Sequence, residues 1–517
     1  MPIPAPGTAW PPAEWAEAYA VYRENNAWLT GDTDELAAIY QRATADRATH
    51  TRRGKPMRGG LVGAASRMFW GQPVPAGENR SRLHVPAAAD LATLASDLVF
   101  AEPPKVHAGE DTDSKIQARL DMIANSDEST ATFQQMGELK SAFGSAVLVS
   151  RWDLAVADHV WLEAAAADVV IPEFRSGRMI AVTLWTEYRD STAGTVWRHL
   201  EHHAPGYIEH ALYQGTDDNL GRRVPLQERP ETAPLAEVVN ADSVILTGID
   251  RLTASWNPNM QSMAWRKKGD LAYAGRSDFA QLPPLFDLLD ETWSSWMRDL
   301  RQGAGKVLVP EAAIEFGGVG QGGTFDTGRE YFQGLNLPGD PDKLAFDKVQ
   351  FDIRVEEHER TARGIMREIL RKAGFSQSAW GDDSANAQMT ATEIHDRRTM
   401  SERTRDKKIL RDRQAIARQA SVALELDGLL FPGKGGGRLD VAPTVEFVDI
   451  SQEDPTALAQ TLSLLDAAGA ISTEQKVRRA NPEWTEAQVL DEVAAIRAER
   501  APDPATFTGL PEDDPLD

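Results

Sequence analysis

Apolar positions along the chain follow a helical period in the first fifty residues, a strand period through the middle of the first half, and a long helical period again from Phe279 onward. From Trp10 to Asp46 the pattern predicts helices broken at the segment TGDTDE, where Thr30 and Asp32 can cap a new start at Asp34. Leu83 to Phe100 predicts a helix with Pro86 in its first turn and Leu91, Leu94 and Leu98 on one face, ended by Pro103 and Pro104. A helix over Phe133 to Ala142 leads into a short buried strand, Ala146 to Asp153. Strand patterns follow at Val169 to Phe174, Met179 to Tyr188, Thr195 to His203 and Tyr207 to Tyr213, the last two joined as a hairpin at Ala204, Pro205 and Gly206. Residues 1–265 therefore read as a mixed α+β body.

The pattern then changes. Phe279, Leu282, Phe286, Leu289, Trp293, Trp296 and Leu300 recur at spacings of three and four, which predicts a long helix in residues 266–302. A Gly-rich stretch with short strands covers 303–350, and alternation at Val349, Phe351, Ile353 and Val355 brings the chain to a second helix, Glu356 to Lys372, within 351–373. A polar loop, 374–388, carries Gln377, Ser378, Asp382, Asp383, Ser384, Asn386 and Gln388, with Gly374 and Gly381 as flexible joints. The remainder, 428–517, predicts helices between Thr456 and Arg500 broken near Gly469 and Asn481, then an acidic tail from Pro511 to Asp517. No internal repeat is evident.

Residues 389–427 predict a long helix of a different kind. Thr390 and Glu393 form a capping box, and Gly428 supplies a stop. Glu393 precedes Arg397 by four residues, and Arg398, Glu402 and Arg405 can pair along the surface. Between His395 and Lys408 only Met400 is large and apolar, so no hydrophobic stripe anchors that half. Its cations Arg397, Arg398, Arg403, Arg405, Lys407, Lys408, Arg411, Arg413 and Arg418 outnumber the acids Glu393, Asp396, Glu402, Asp406 and Asp412. Such a helix can be solvated, pack against charged copies of itself, or face a water-filled channel.

Composition narrows the function. At 517 residues the chain exceeds one ordinary core, and 42% hydrophobic with 26% charged residues is a folding composition. A net charge of -23 opposes any broad grip on nucleic acid, which needs cations to displace phosphate counterions, but not a conduit through which DNA slides. Zero cysteines exclude disulfides, thiolate metal sites and cysteine nucleophiles. Without a bilayer-length apolar run or a leader at MPIPAPGTAW, a soluble intracellular protein is expected.

Catalytic motifs do not assemble. Gly318, Gly320 and Gly323 match a dinucleotide fingerprint in spacing, but Thr324 to Gly328 does not open an apolar helix. Gly303 to Lys306 lacks phosphate-loop spacing, and Val307 stands where Ser or Thr would hold magnesium. His199, Glu201, His202, His203 and His210 are the densest metal-type group, yet alternation sends His202 to the face opposite His199 and His203, so a polar hairpin is expected. The pair Asp382 and Asp383 lacks the further acids and lysine of a nuclease. The expectation is no enzyme, no cofactor and no metal. Trp293 and Trp296, with Leu289, read as core or subunit-contact residues.

The segments LHVPAAADLATLASDLVFAEPPKV, GSAVLVSRWD, YIEHALYQGTDD, GRSDFAQLPPLFDLLDETWSSWMRDLR and MTATEIHDRRTMSERTRDKK, taken in this order, resemble the portal proteins of long-tailed bacteriophages, particularly of actinobacterial hosts. The resemblance implies an α+β, mainly helical portal fold in a cyclic ring of about a dozen subunits with heterologous contacts. Carried onto this sequence, 1–265 resembles the wing, 266–302 and 351–373 the two stem helices, and 303–350 a small α/β clip. Residues 374–388 resemble the tunnel loop, 389–427 the helix behind it, and 428–517 a wing strand, helical crown and tail. The implied partners are further copies of itself, the terminase large subunit, a head-completion adaptor, major capsid and scaffolding proteins, and double-stranded DNA passing without sequence specificity. No membrane is implied. The implied location is the portal vertex of the virion, with assembly in the host cytoplasm. Under that resemblance the loop residues Gln377 to Gln388 meet DNA, and Arg397, Arg398, Arg403, Arg405, Lys407 and Lys408 face the channel or a neighbouring subunit.

Overall fold

The computed structural model describes residues 3–50, 68–72, 82–109, 113–189, 194–303, 306–308, 315–316, 323–324, 347–349, 353–381, 391–448, 455–481, 484 and 486–500, with backbone alone for 43–50, 302–349, 391–399, 455–457 and 499–500. They form two compact units, Met1–Phe447 and Val448–Asp517.

In the first unit, α1 (Ala16–Thr30) and α2 (Thr33–His50) break where the sequence predicts. Gly31 takes the left-handed conformation at φ 68°, and Asp32 Oδ1 accepts from the Glu35 N–H at 2.9 Å. Next come α3 (Ala87–Phe100), directly after Pro86, and α4 (Ser114–Ala124), whose Asp113 cap accepts from Lys115 N. Ser126 caps α5 (Asp127–Phe143), which starts earlier than apolar spacing suggests because its first turn, Asp127 and Glu128, is acidic and favoured by the helix dipole.

Strand β1 (Lys105–His107) pairs with β17 (Thr444–Glu446), closing the unit across most of its length. β2 (Ser145–Arg151) lies between β3 (Trp161–Ala166) and β10 (Ala254–Pro258), which explains its uninterrupted apolar run. The main sheet is antiparallel: β4 (Val170–Arg175), β5 (Arg178–Arg189), β6 (Val196–Ala204), β7 (Tyr207–Thr216) and β8 (Asn219–Val224) in sequence order, with β9 (Val244–Leu246) also on β7. The β6–β7 hairpin turns on two residues, Pro205 and Gly206, with Ala204 opposite Tyr207. β11 (Met260–Gln261) pairs with β12 (Gly275–Arg276).

The first predicted stem helix is α6 (Pro283–Gly303). Phe279 and Leu282 belong to its apolar stripe by spacing but lie in the turn before it, where Gln281 has φ 68° and both side chains are buried. The Gly-rich stretch contains β13 (Lys306–Leu308) paired with β16 (Asp347–Val349), and β14 (Glu315–Phe316) paired with β15 (Gly323–Thr324). The helix predicted over Glu356 to Lys372 is α7 (Val355–Ala373), followed by the long helix α8 (Ala391–Leu430).

One core joins α1, α2, α3, α6 and α7 around Trp15, Tyr22, Trp28, Phe279, Phe286 and Phe375. A second joins α4, α5, β2 and β3 to the C-terminal half of α8 through Leu120, Phe133, Leu148, Ile416 and Leu424. Full burial of such side chains stabilises by about 1.5–3 kcal/mol each.

Gly428 is not the helix stop the sequence suggested. The helix runs past it to Leu430, and a Cβ there would lie 2.7 Å from the Gly436 backbone. The returning segment Gly433–Gly437 presses on the helix, and Gly437 N donates to Leu424 O at 2.9 Å. Glycine serves close approach here rather than termination.

The second unit, taken by itself, holds α9 (Pro455–Ala467), α10 (Thr473–Ala480) and α11 (Glu486–Arg500). The predicted breaks are observed, with Gly469 at φ 64° and Asn481 ending α10. Val477, Val489 and Val493 form its small core, and Lys476 pairs with Asp466 at 2.6 Å. The acidic tail lies outside the described residues.

Candidate functional site

The long helix α8 lacks an apolar stripe in its first half, yet burial along it keeps a helical period: Ser401, Thr404, Arg405, Lys408, Asp412, Ile416, Gln419, Ala423 and Asp427 all face inward. The buried stripe is polar, and each ionisable group on it is matched from another element. Lys408 Nζ binds Asp278, which also accepts from Asn259 Nδ2 at 2.9 Å. Asp412 accepts from Lys140 of α5 and, at 2.7 Å, from Asn257 of β10. Gln419 Nε2 donates to Ser150 Oγ at 2.6 Å and Thr253 O at 2.8 Å, while its Oε1 accepts from Ser255. Asp427 is gripped by the Arg119 guanidinium at 2.6 and 2.9 Å and by the Val160 N–H at 3.0 Å. Burial pulls the Lys140 ammonium below its ordinary range against the opposing attraction of Asp412. Buried pairs add little net stability over apolar packing, because desolvation offsets their attraction. A specific partner at four successive stations does fix the register: sliding α8 by one turn would set Lys408 against Lys140 or Asp412 against Asp278 and would take Asp427 away from Arg119.

This corrects part of the sequence reading. Arg405 and Lys408, expected at a channel or subunit face, are 8% and 2% exposed; Arg405 Nε donates to Leu98 O at 2.7 Å, and Lys408 is the partner of Asp278. Composition could not separate them from Arg403 and Lys407, which are exposed on the opposite side. The side chains of Arg397 and Arg398, and the capping box at Thr390 and Glu393, lie outside the described side chains.

The loop before α8 is described as far as Gly381. Gly374, expected as a flexible joint, is the left-handed cap of α7 at φ 90° and is clamped to α8: Thr404 Oγ1 donates to Gly374 O at 2.8 Å, and a Cβ on Gly374 would meet that oxygen at 2.7 Å. Ser376 N donates to Ser401 Oγ at 2.9 Å. Gln377 and Ser378 are half-buried, with Ser378 hydrogen-bonded to Ser376 at 3.0 Å. Asp382, Asp383, Ser384, Asn386 and Gln388 lie outside the described residues.

Helices α6 and α7 run antiparallel. Near the far end of the pair, Asp299 accepts from Arg354 at 2.8 Å and bonds His358 at 2.9 Å. At the other end Ser277 and Gln281, just before α6, share a cleft with Lys372 of α7. Between the ends, Leu289 is buried, and Trp293, Trp296 and His358 form a continuous stack with centroids 5.0 and 6.0 Å apart. Trp296 of α6 thus meets His358 of α7 across the hairpin.

The predicted polar hairpin is buried. His199, His202, His203 and His210 are each at most 9% exposed. His199 stacks on His210 with Nε2 and Nδ1 3.1 Å apart, His203 lies 2.9 Å from Glu201, and Arg151 reaches Glu201 from β2. Alternation is obeyed: His202 turns away and meets Thr183 at 2.9 Å. Burial acts to raise the Glu201 carboxyl, but Arg151 and His203 hold it well below the usual range. Burial lowers His210 to about 4. The cluster packs the stacked His199 and His210, whose burial favours their neutral form, beside the Arg151–Glu201 ion pair, and no group able to hold a metal occurs among the described residues.

The other chemistries stay unassembled. Helix α6 ends at Gly303 and Lys306 opens a strand, the reverse of the strand-to-helix order a phosphate loop needs. Gly323 also begins a strand, while residues 317–322 lie outside the described set. The cleft beside Asp278, lined by Arg276, Ser277, Ala280, Gln281 and Lys372, encloses about 120 Å³, below the roughly 300–1,000 Å³ of ligand pockets. Among the described residues no helix is long and apolar enough to cross a membrane.

No family model matches the chain. No curated protein matches it either. Among solved structures it is similar to a chain of the neck of an empty gene transfer agent particle computed with C6 symmetry, at 14% identity and TM-score 0.36, covering 84% of this chain and 97% of that one. A chain of the neck of the native particle computed with C12 symmetry aligns at 14% identity and TM-score 0.37, again over 84% and 97%. A chain of the virion of the native particle aligns at 15% identity and TM-score 0.35, covering 98% of that chain.

Proposed function

We propose that this chain is a structural, non-enzymatic subunit of a phage-type head-to-tail junction, and specifically a portal subunit that assembles into a ring conducting DNA. The observation that carries the reading is the succession of α6, a strand-bearing segment, α7, a short loop and α8. An antiparallel pair of helices of about 30 Å each, at 1.5 Å per residue, projects a small tip between them and returns the chain to a 40-residue helix locked in the body. In this reading the hairpin is the stem, residues 303–350 the clip and residues 374–388 the tunnel loop.

The anchoring supports this role. A loop that touches moving DNA transmits force to its roots, and Thr404, Ser401 and the buried ion pairs below them fix one root to the body. The charge supports it as well: an acidic wall does not hold phosphates, so the duplex slides. In this reading the partners are other copies, a packaging motor, an adaptor and capsid proteins, at one vertex of the particle.

Light scattering with negative-stain imaging of the purified chain tests the proposal. Closed rings with a central channel are expected. A monomer or dimer under all assembly conditions would overturn it and leave a head component without a channel as the better reading.

A further inference from the structure

Two helical surfaces of the first unit carry charges with no ion-pair partner among the described residues, and they are opposite in sign. The outward side of α8 presents Arg403, Lys407, Arg411, Arg413 and Arg418 against only Glu402 and Asp406, and Leu410 stands among them at 62% exposure. The outward sides of α3 and α5 present Asp90, Asp97, Asp127, Glu128 and Glu138; the one cation on those two helices, Lys140, is buried with Asp412. Helices α3 and α5 pack together, and Thr93 Oγ1 donates to Glu138 at 3.4 Å, so the acids form one ridge. Arg405 meets α3 from the buried side of α8, and the free cations lie on the side away from it.

We propose that the basic face of α8 docks on the acidic α3–α5 ridge of a second copy of this chain, a partner that rests on the ring reading above. The spacing fits: Arg411 and Arg418 stand seven residues apart on one helix, Asp90 and Asp97 seven apart on the other, so both pairs span about 10 Å. The charges also fit a head-to-tail contact, in which each copy offers one face forward and a different one behind. Leu410 favours protein over phosphate, because an exposed apolar side chain amid the cations gains nothing from a phosphate backbone and is covered by a helix pair. In a chain of net charge -23, segregating a cationic strip is what lets like-charged copies associate in one orientation.

The test is a charge swap in the full chain. Arg411→Glu with Arg418→Glu, and separately Asp90→Lys with Asp97→Lys, are each expected to lower the ring fraction about tenfold at low salt, as for opposed like charges. The four substitutions together are expected to restore rings. Asp90, Asp97 and Arg418 are exposed and Arg411 is half-buried, and unchanged circular dichroism and melting confirm folding of each variant. If rings form in the parent chain and either single-side swap leaves them intact, or the combined swap fails to restore them, the docking is wrong while the ring stands. If the α8 swap keeps rings but abolishes DNA retention, the face serves nucleic acid and the inference falls. If the parent forms no ring, the ring reading falls first and takes the inference with it.

Discussion

The α6–α7 hairpin and the long helix α8 are neighbours in the chain, and they are held by different balances of apolar contact and buried charge. Trp293 and Trp296 of α6 stack towards His358 of α7, and α6 buries Leu289 against the body beside two carboxylates, Asp287 and Asp290, that accept from the Phe69 and Val85 N–H groups. Helix α8 enters the same body through Lys408, Asp412, Gln419 and Asp427. Apolar packing is stabilising but tolerant, since a shifted leucine still meets other carbon atoms. A buried charge has one acceptable partner, so it contributes position more than energy.

The comparison breaks most visibly at Asp412. Replacing it with Leu strands Lys140 in the core and is expected to cost about 4 kcal/mol in denaturant unfolding. Adding Lys140→Met should recover most of that loss, and a double-mutant cycle with little recovery would refute the account of α8 as a register lock. In the hairpin, Leu289→Ala is expected to cost about 3 kcal/mol through lost burial and cavity formation. That loss should be additive with substitutions on α8 that do not touch it, and strong non-additivity would show the two anchoring modes to be one.

The smallest expected effect concerns a third region, the β6–β7 hairpin, where burial of His210 outweighs the attraction of Glu201 and produces acid sensitivity. His210 titrates at about 4 in the folded chain and near 6.5 when unfolded. Between those values the unfolded state binds the extra proton, so stability is complete above about pH 6.5 and falls as pH drops toward 4, by on the order of 2–3 kcal/mol from this group. Unfolding measured across that range should flatten in His210→Gln. An unchanged slope would assign the acid sensitivity elsewhere.

Much of the framework was legible in the chain itself. Apolar spacing located α6, α7 and strands β4 to β7 of the main sheet to within a few residues, since burial on one face writes its period into the sequence. The turn at Gly31, the hairpin at Pro205 and Gly206 and the alternation that divides His202 from His199 are local rules obeyed locally. Helix α4 and strands β3, β8, β9 and β10 were missed. Their patterns are short, and α4 is nearly as polar as it is apolar, so none rises above a loop until its neighbours supply the other half of the core.

Tertiary structure alone decided which cations of α8 are inside. Arg403, Arg405, Lys407 and Lys408 are equivalent by composition, and the helix period cannot orient itself when no apolar stripe marks the inner face. The partners that do orient it, Lys140, Asp278, Arg119 and Asn257, lie more than a hundred residues away in the chain. The same holds for Gly374 and Gly428, which read as a joint and a stop but are sites where another backbone or side chain comes too close for a Cβ. Local periodicity determined where this chain is helix and strand. The pairing of buried charges, set only by distant residues meeting in the fold, determined which face of its longest helix turns inward.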